Sequence, residues 1–183
     1  MLLMEIATEI SNCKECKKDK FGLAVPGEGN HKAKVMLVGE APGREEAKTG
    51  RPFVGRSGRL LTEMLSSVGI DRKDVFITSP VKYYPGKRLL TKEEISHGRI
   101  HLLKQIESVK PKLIVLLGSV AIRAVIDKKL KPTEYHGKLI EGKYFVTFHP
   151  AAAIRSPKKV RAKMNEDFRK LRRLIQFLPT NGT

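Results

Sequence analysis

The chain has 183 residues, 40% of them hydrophobic, and sets 36 Lys and Arg against 19 Asp and Glu for a net charge of +17. That length suits one domain with a sizeable core, and no run approaches the roughly 20 consecutive apolar residues of a bilayer-spanning helix. The opening MLLMEIATEI carries acids and no basic stretch, so it does not read as a secretory leader and a cytoplasmic protein is expected. A thermally adapted surface usually mixes both signs of charge. Here one sign prevails, which points to an anionic partner, nucleic acid first.

Residues 2–11 fit one short helix with Leu2, Leu3, Ile6 and Ile10 on one side. Cys13 and Cys16 follow in a CxxC, which is half of a four-thiolate site, a redox dithiol or neither. A redox motif would follow a strand and open a helix, whereas this one sits among lysines ahead of any strand. Val25–Asn30 is a turn-rich lead into Val35–Val38, an apolar run that reads as a buried strand. The strand breaks at Gly39-Glu40-Ala41-Pro42-Gly43, where two glycines and a proline force a tight loop. In open parallel sheets that edge is where ligands bind. Glu45 and Glu46 come next, and a second glycine-rich turn then presents Phe53 between Pro52 and Val54. Ser57 to Val68 reads as a helix, with Leu60, Leu61, Met64 and Leu65 at helical spacing and Gly69 as its cap.

Val75–Thr78, continued towards Val81, is a second strand. Lys82, Tyr83, Tyr84, Lys87 and Arg88 then form a basic loop with aromatics, a mixture in which rings stack on bases and cations meet phosphates. Thr91 to Glu94 is a capping box opening a helix to about Val109, and Pro111 ends it. Leu113–Leu117 is the mark of a central parallel strand buried on both faces. A helix from about Val120 to Lys128 follows, then a short hairpin-like segment flanked by Gly137 and Gly142. Tyr144–Phe148 is the last strand and delivers His149 at its carboxyl end. Residues 151–157 read as a loop with little bulk except Ile154 and Arg155. Pro157 opens the final helix, where Val160, Met164, Leu171, Leu174, Ile175 and Leu178 trace a core face. Lys158, Lys159, Arg161, Lys163, Arg169, Lys170, Arg172 and Arg173 occupy much of the rest.

Strands near 35–40, 75–81, 113–117 and 144–148, alternating with helices, predict an α/β fold in one domain over residues 1–183. The expected form is a three-layer α/β/α sandwich around a central four-stranded, mostly parallel sheet. A glycine loop, carboxylates, an aromatic and a histidine then share the carboxyl edge of the sheet.

Several of these segments occur together in one known order. They are GEAPG at 39–43 with Glu46 three places on, GRPFVGRSGRLL at 50–61, Ile77-Thr78 ahead of Lys82, Leu117-Gly118 with Ala121, and His149-Pro150-Ala151. Over residues 13–175 the chain resembles the uracil-DNA glycosylase superfamily, and within it the family 4 enzymes of bacteria and archaea. The resemblance implies a monofunctional glycosylase that flips uracil out of DNA and hydrolyses its N-glycosidic bond to start base-excision repair. The expected partner is uracil-containing DNA, single- or double-stranded, and the expected state a monomer. Gly39, Glu40, Ala41, Pro42, Gly43, Phe53, Ser79 and His149 would form the base-binding set. Phe53 would stack on the flipped ring, and the amides of 40–43 would read its edge. His149, donating a hydrogen bond near O2, would stabilise negative charge on the departing base. Elsewhere in the superfamily an Asp activates water where this chain has Ala41, which leaves Glu46 and Glu40 as candidates to position water or steady the sugar cation. DNA contacts are expected from Lys82, Tyr83, Tyr84, Lys87, Arg88, Lys158, Lys170 and Arg173. Ile154 would wedge into the vacated stack, with Arg155 steadying the backbone.

The chain departs from the family pattern twice. Ser79 stands where the family has an Asn on the Watson–Crick edge of uracil, and a lone hydroxyl replaces an amide's donor–acceptor pair. Two further readings therefore stand beside uracil excision: a glycosylase for another deaminated base, hypoxanthine or xanthine, and a catalytically inactive DNA-binding homologue. The second departure concerns metal. The family binds a [4Fe–4S] cluster through four cysteines, and the two partners of Cys13 and Cys16 would lie near Tyr83 and Gly98. The chain has no other cysteine, so a Cys₄ cluster within one chain is impossible. His97 and His101 lie near the second gap and could substitute as ligands, though exposed helix histidines are the simpler reading. No cofactor and no metal are expected, with Cys13 and Cys16 as half of a site; zinc held by these two and two other ligands is the alternative.

Overall fold

A computed structural model of the chain describes residues 2–126 and 129–179. Its strands are β1 (Glu28–Gly29), β2 (Val35–Val38), β3 (Phe76–Thr78), β4 (Leu113–Leu117), β5 (Leu139–Ile140) and β6 (Tyr144–Thr147). They form one sheet in the order β1-β3-β2-β4-β6-β5. The four inner strands are parallel, as expected, and two short antiparallel pieces extend the edges. The first comes from the stretch read as a turn-rich lead, the second from the hairpin-like segment between Gly137 and Gly142.

Around the sheet lie α1 (Leu3–Asn12), α2 (Lys14–Lys17), α3 (Arg44–Thr49), α4 (Arg56–Ser67), α5 (Lys92–Val109), α6 (Ser119–Ile126), α7 (Pro132–Tyr135), α8 (Pro150–Arg155) and α9 (Ala162–Gln176). The expected end of α6 at Lys128 falls outside the described residues. β4 is buried on both sides: Leu113, Val115 and Leu117 join Val35, Leu37, Leu61, Phe145 and Phe168 in one core layer. Ile114 and Leu116 join Met36, Val38, Leu102, Ala121 and Val146 in the other. Each such fully buried aliphatic side chain contributes about 1.5–3 kcal/mol. The capping box of α5 is present: Glu94 N–H donates to Thr91 Oγ1 at 3.2 Å, and the Glu94 carboxylate accepts Thr91 N–H at 2.9 Å.

Three segments differ from expectation. The two acids after the 39–43 loop open a short helix, α3, because Glu46 reaches back to the free N–H of Gly43 at 3.0 Å and closes its first turn. The stretch after His149 is not a loop but α8, with His149 as its N-cap and Pro150 in its first turn. The last helix starts later than Pro157: residues 157–161 wind as a wider π-type turn, and regular helix begins at Ala162.

Register decides what the sheet edge presents. Met36 to Val38 pair with Phe76 to Thr78 on one side, and Leu37 and Val38 with Val115 and Leu116 on the other. Ile114 to Leu117 pair with Tyr144 to Thr147. Gly39 N–H therefore donates to Thr78 O at 2.8 Å and Gly118 N–H to Thr147 O at 3.0 Å. The 39–43 loop, Ser79 and His149 all leave the sheet at one edge.

Candidate active site

A cleft of about 270 Å³ opens at that edge. Ala41, Pro42, Gly43, Glu46, Pro52, Phe53, Ser79 and His149 line it, together with Val25, Arg44, Glu45, Gly55, Arg56 and Ser57. Most of the expected base-binding set is thus brought together. Gly39 acts from beneath the lining, since a Cβ there would sit 2.6 Å from the Phe53 ring and the bare backbone lets the ring close over the strand end.

Phe53 is held in a left-handed backbone conformation, φ 50°, which disfavours a bulky residue by about 1–2 kcal/mol. Its surroundings overdetermine it. Arg72 donates to Phe53 O at 3.1 Å and to Pro52 O at 2.5 Å. Gly58 packs so close that a Cβ would lie 1.9 Å from Phe53 O. The ring lies 5.8 Å from the His149 ring at 35°. Arg72 carries no motif or spacing signal, and sequence reasoning missed it.

Glu46 ties the two loops together. One carboxylate oxygen accepts Gly43 N–H at 3.0 Å, and the other accepts Val54 N–H and Gly55 N–H, each at 2.8 Å. With both oxygens occupied by three amides, Glu46 fixes the shape of the cleft. Glu40 sits beside the cleft lining, where burial raises its carboxyl above the ordinary value against the pull of Arg123 and Arg155. Ser79 is buried and donates its proton to Val81 O at 2.8 Å. Its oxygen can then only accept from a ligand in the cleft.

His149 is half-buried at the end of β6, and its Nδ1 accepts Ala151 N–H at 3.2 Å. Desolvation, reinforced by Arg155, lowers its pKa to about 4 against a weak opposing pull from Glu46. The imidazole is therefore neutral at physiological pH. With Nδ1 as acceptor the proton must sit on Nε2, so the ring offers one fixed N–H donor. Gly118, at φ 91°, gives it room: a Cβ there would approach His149 Cβ to 3.1 Å. Below the site, Thr147 Oγ1 donates to Asp167 Oδ2 at 2.7 Å, and His136 Nδ1 lies 3.0 Å from Asp167 Oδ1. This buried network ties α9 to β6 and was not foreseen.

The expected DNA-contact residues divide. Lys82 is 1% exposed and Tyr83 3%, so neither can meet a phosphate or a base. Lys82 Nζ donates instead to Thr78 Oγ1 at 2.8 Å and Gln105 Oε1 at 2.7 Å, and Tyr83 OH donates to Ser11 O at 3.2 Å. Burial brings the Lys82 amine down to about 7. Arg88 is exposed but grips Glu94 through both terminal nitrogens, at 2.8 and 2.6 Å. Tyr84 is partly exposed, 6.3 Å from the exposed ring of Phe21. Lys87, Arg155, Lys158, Lys170 and Arg173 are exposed. Ile154 packs partly against the core instead of projecting as a free wedge.

A second cluster stands on the far side of the Lys82 loop. Cys13 and Cys16 meet His97 and His101 of α5, their four donor atoms all within 4.8 Å of one another. His101 is 3% exposed, not a solvent-facing helix residue. The reading of Cys13 and Cys16 as half a site is thereby corrected: α5 supplies two more donors, one turn apart, and the group can hold a metal ion.

Among the described residues no helix is long and apolar enough to cross a membrane. A family model, the uracil DNA glycosylase superfamily, matches residues 26–175. The type-4 uracil-DNA glycosylase of Saccharolobus solfataricus is 40% identical, over 95% of this chain and 87% of its own. That of Thermotoga maritima is 41% identical over 95% of both chains. The Archaeoglobus fulgidus type-4 enzyme is 38% identical over 92% of this chain and 91% of its own.

Proposed function

The chain belongs to the uracil-DNA glycosylase superfamily and groups with its type-4 enzymes, and on that footing we propose that the cleft removes uracil from DNA by hydrolysing its N-glycosidic bond. One observation carries the mechanistic reading: the neutral His149, its Nδ1 engaged by Ala151 N–H, is left with a single Nε2–H donor.

Cleavage of the bond leaves an oxocarbenium-like sugar and a uracil anion, with charge spread over the base oxygens. A duplex base must first leave the stack. Phe53 takes one face of the extruded ring, and the 41–43 loop meets its edge. A fixed N–H from His149 at the base O2 stabilises charge that is nearly absent in the ground state, a contribution of about 2.7–4 kcal/mol for one preorganised donor. The donor starts neutral, so it lends its proton to a hydrogen bond with no cation to desolvate.

Ser79 supports selection for uracil over cytosine. With its own proton held by Val81 O, its oxygen accepts N3–H of uracil and meets only a lone pair on cytosine. Glu46 holds the loops, and the rate rests chiefly on leaving-group stabilisation. The exposed cations Lys158, Lys170 and Arg173 meet the DNA backbone, together with the exposed Arg155, whose charge is felt by Glu40 and His149.

The test is to incubate the protein with duplexes carrying uracil, hypoxanthine or xanthine and then cleave abasic sites with alkali. Strand scission with uracil is expected. Scission with hypoxanthine or xanthine in its place moves the substrate to that base, and none with any duplex makes the chain a binding module.

A further inference from the structure

We propose that Cys13, Cys16, His97 and His101 form a mononuclear, tetrahedral zinc site in place of the iron–sulfur cluster that the family resemblance implies. The cluster does not fit. Only two thiolates exist in the whole chain. The position expected to carry one missing ligand is filled by backbone packing, since a Cβ on Gly98 would lie 2.3 Å from Pro80 O. At the other, Tyr83 is buried and spans to Ser11 O. Spacing points the same way, because donors all within 4.8 Å of one another stand closer than ligands spread over the four corners of a four-iron core. A two-iron cluster with cysteines on one iron and histidines on the other fits this arrangement poorly too. It would hold thiolate and imidazole apart across the core, whereas Cys13 Sγ lies 3.2 Å from His97 Nε2.

A single tetrahedral ion suits the same spacing. Zn–S bonds of about 2.3 Å and Zn–N bonds of about 2.0–2.1 Å place tetrahedral donors about 3.3–3.8 Å apart. Two thiolates and two imidazoles in that geometry select zinc once iron–sulfur chemistry is set aside. The sequence spacing, C-x₂-C followed much later by H-x₃-H, is that of structural zinc sites. His97 and His101 sit one turn apart on one face of α5, and their rings meet edge to face at 5.7 Å.

An independent observation points to a ligand. His101 is buried, yet both of its ring nitrogens lack a hydrogen-bond partner. Buried polar groups in folded proteins rarely stay unpaired. An ion on Nε2 would satisfy one nitrogen. Glu9, whose Oε1 lies 3.5 Å from Nδ1, is placed to orient the other as the carboxylate behind a ligating histidine. On the sulfur side, Cys16 N–H donates to Cys13 Sγ at 3.3 Å, a bond that steadies thiolate charge. The ion would staple the segment joining α1 and α2 to α5. That segment leads on to Val25, whose N–H bonds Lys82 O at 2.8 Å and whose side chain lines the cleft.

The full chain, expressed in medium supplemented with both iron and zinc and purified without chelator, provides the test. Elemental analysis should give about one zinc per chain and no acid-labile sulfide. After chelation, Co²⁺ should saturate at about one equivalent. The spectrum should show tetrahedral d–d bands and a thiolate charge-transfer band. Chelation alone should lower the melting temperature, and Zn²⁺ should restore it. Cys13→Ser should weaken the charge-transfer band, and His101→Ala should cost at least tenfold in Zn²⁺ affinity. Should either variant fail to fold, the wild-type cobalt titration and the melting shift decide alone. Iron with labile sulfide overturns the proposal, as does a protein that binds neither metal with a melting temperature indifferent to chelator.

Discussion

The Nδ1 of His149 accepts the amide of Ala151 at 3.2 Å, and this one bond fixes which nitrogen of the ring faces a substrate. Protonation of Nδ1 would break it. The ring's pKa falls from the ordinary 6.5 to about 4, so the single-turnover rate should show no inflection near 6.5. It should fall only as pH approaches about 4. Stability follows the same sign: the unfolded chain protonates first, so the contribution of His149 is complete above about 6.5 and erodes as pH drops towards about 4. His149→Ala should slow excision about 10²–10³-fold while sparing DNA affinity. An unchanged single-turnover rate removes the residue from the mechanism.

Glu46→Gln separates a clamp from a catalytic base. The amide has one acceptor oxygen for three N–H donors and turns an NH₂ towards the rest. Loss of stability by about 1–3 kcal/mol together with a raised KM is the expected pattern in thermal melts and steady-state kinetics. A collapsed kcat with an unaltered melting temperature would return Glu46 to the chemistry.

Ser79→Ala should lower kcat/KM on uracil by about tenfold or more, the effect of one missing hydrogen bond at a recognised edge. Ser79→Asn restores a donor–acceptor pair and should not lose activity if the cleft has room. Retention of full activity by the Ala variant would show that the 41–43 loop reads the base alone.

Affinity for undamaged duplex should fall steeply with salt, with log K against log[salt] near −4 to −5 for about five phosphate contacts. Lys170→Glu with Arg173→Glu should reduce that slope by about 2 and weaken binding to all sequences alike. Lys82→Met should leave the slope unchanged and lower the melting temperature, because its amine is committed to Thr78 and Gln105 inside the fold. A slope that changes with Lys82 would put the loop back on the DNA surface.

Lys82 also shows where sequence reading stops. Its neighbours Tyr83, Tyr84, Lys87 and Arg88 make a stretch whose composition suits nucleic acid, but composition does not say which side chains turn inward. That is settled by partners far along the chain, Pro26 and Gln105 for Lys82 and Ser11 for Tyr83. The parallel strands were legible because each is an unbroken apolar run between turn residues, and the gathering of the 39–43 loop, Phe53 and His149 follows from strand order. β1 and β5, two residues each, are too short to carry a pattern. Helix α8 was hidden because its Ala-rich stretch has no amphipathic period and its cap is a histidine already given a chemical role. All four metal donors could be named from the sequence, but a CxxC and an HxxxH separated by eighty residues, about the span from Cys16 to His97, share no local signal to say that they meet.

The Thr147–Asp167 bond has a mechanical consequence. Thr147 stands two residues before His149, and Asp167 sits one turn before Leu171 on the helix that also carries Lys170 and Arg173. On the proposed roles, grip on the nucleic-acid backbone and placement of His149 are therefore tied through one buried hydrogen bond. To the extent that this tie holds when DNA is bound, the distortion that brings a base into reach falls on the duplex. Sequence contexts that bend and unstack easily would then be worked through fastest, by a preference that belongs to the DNA.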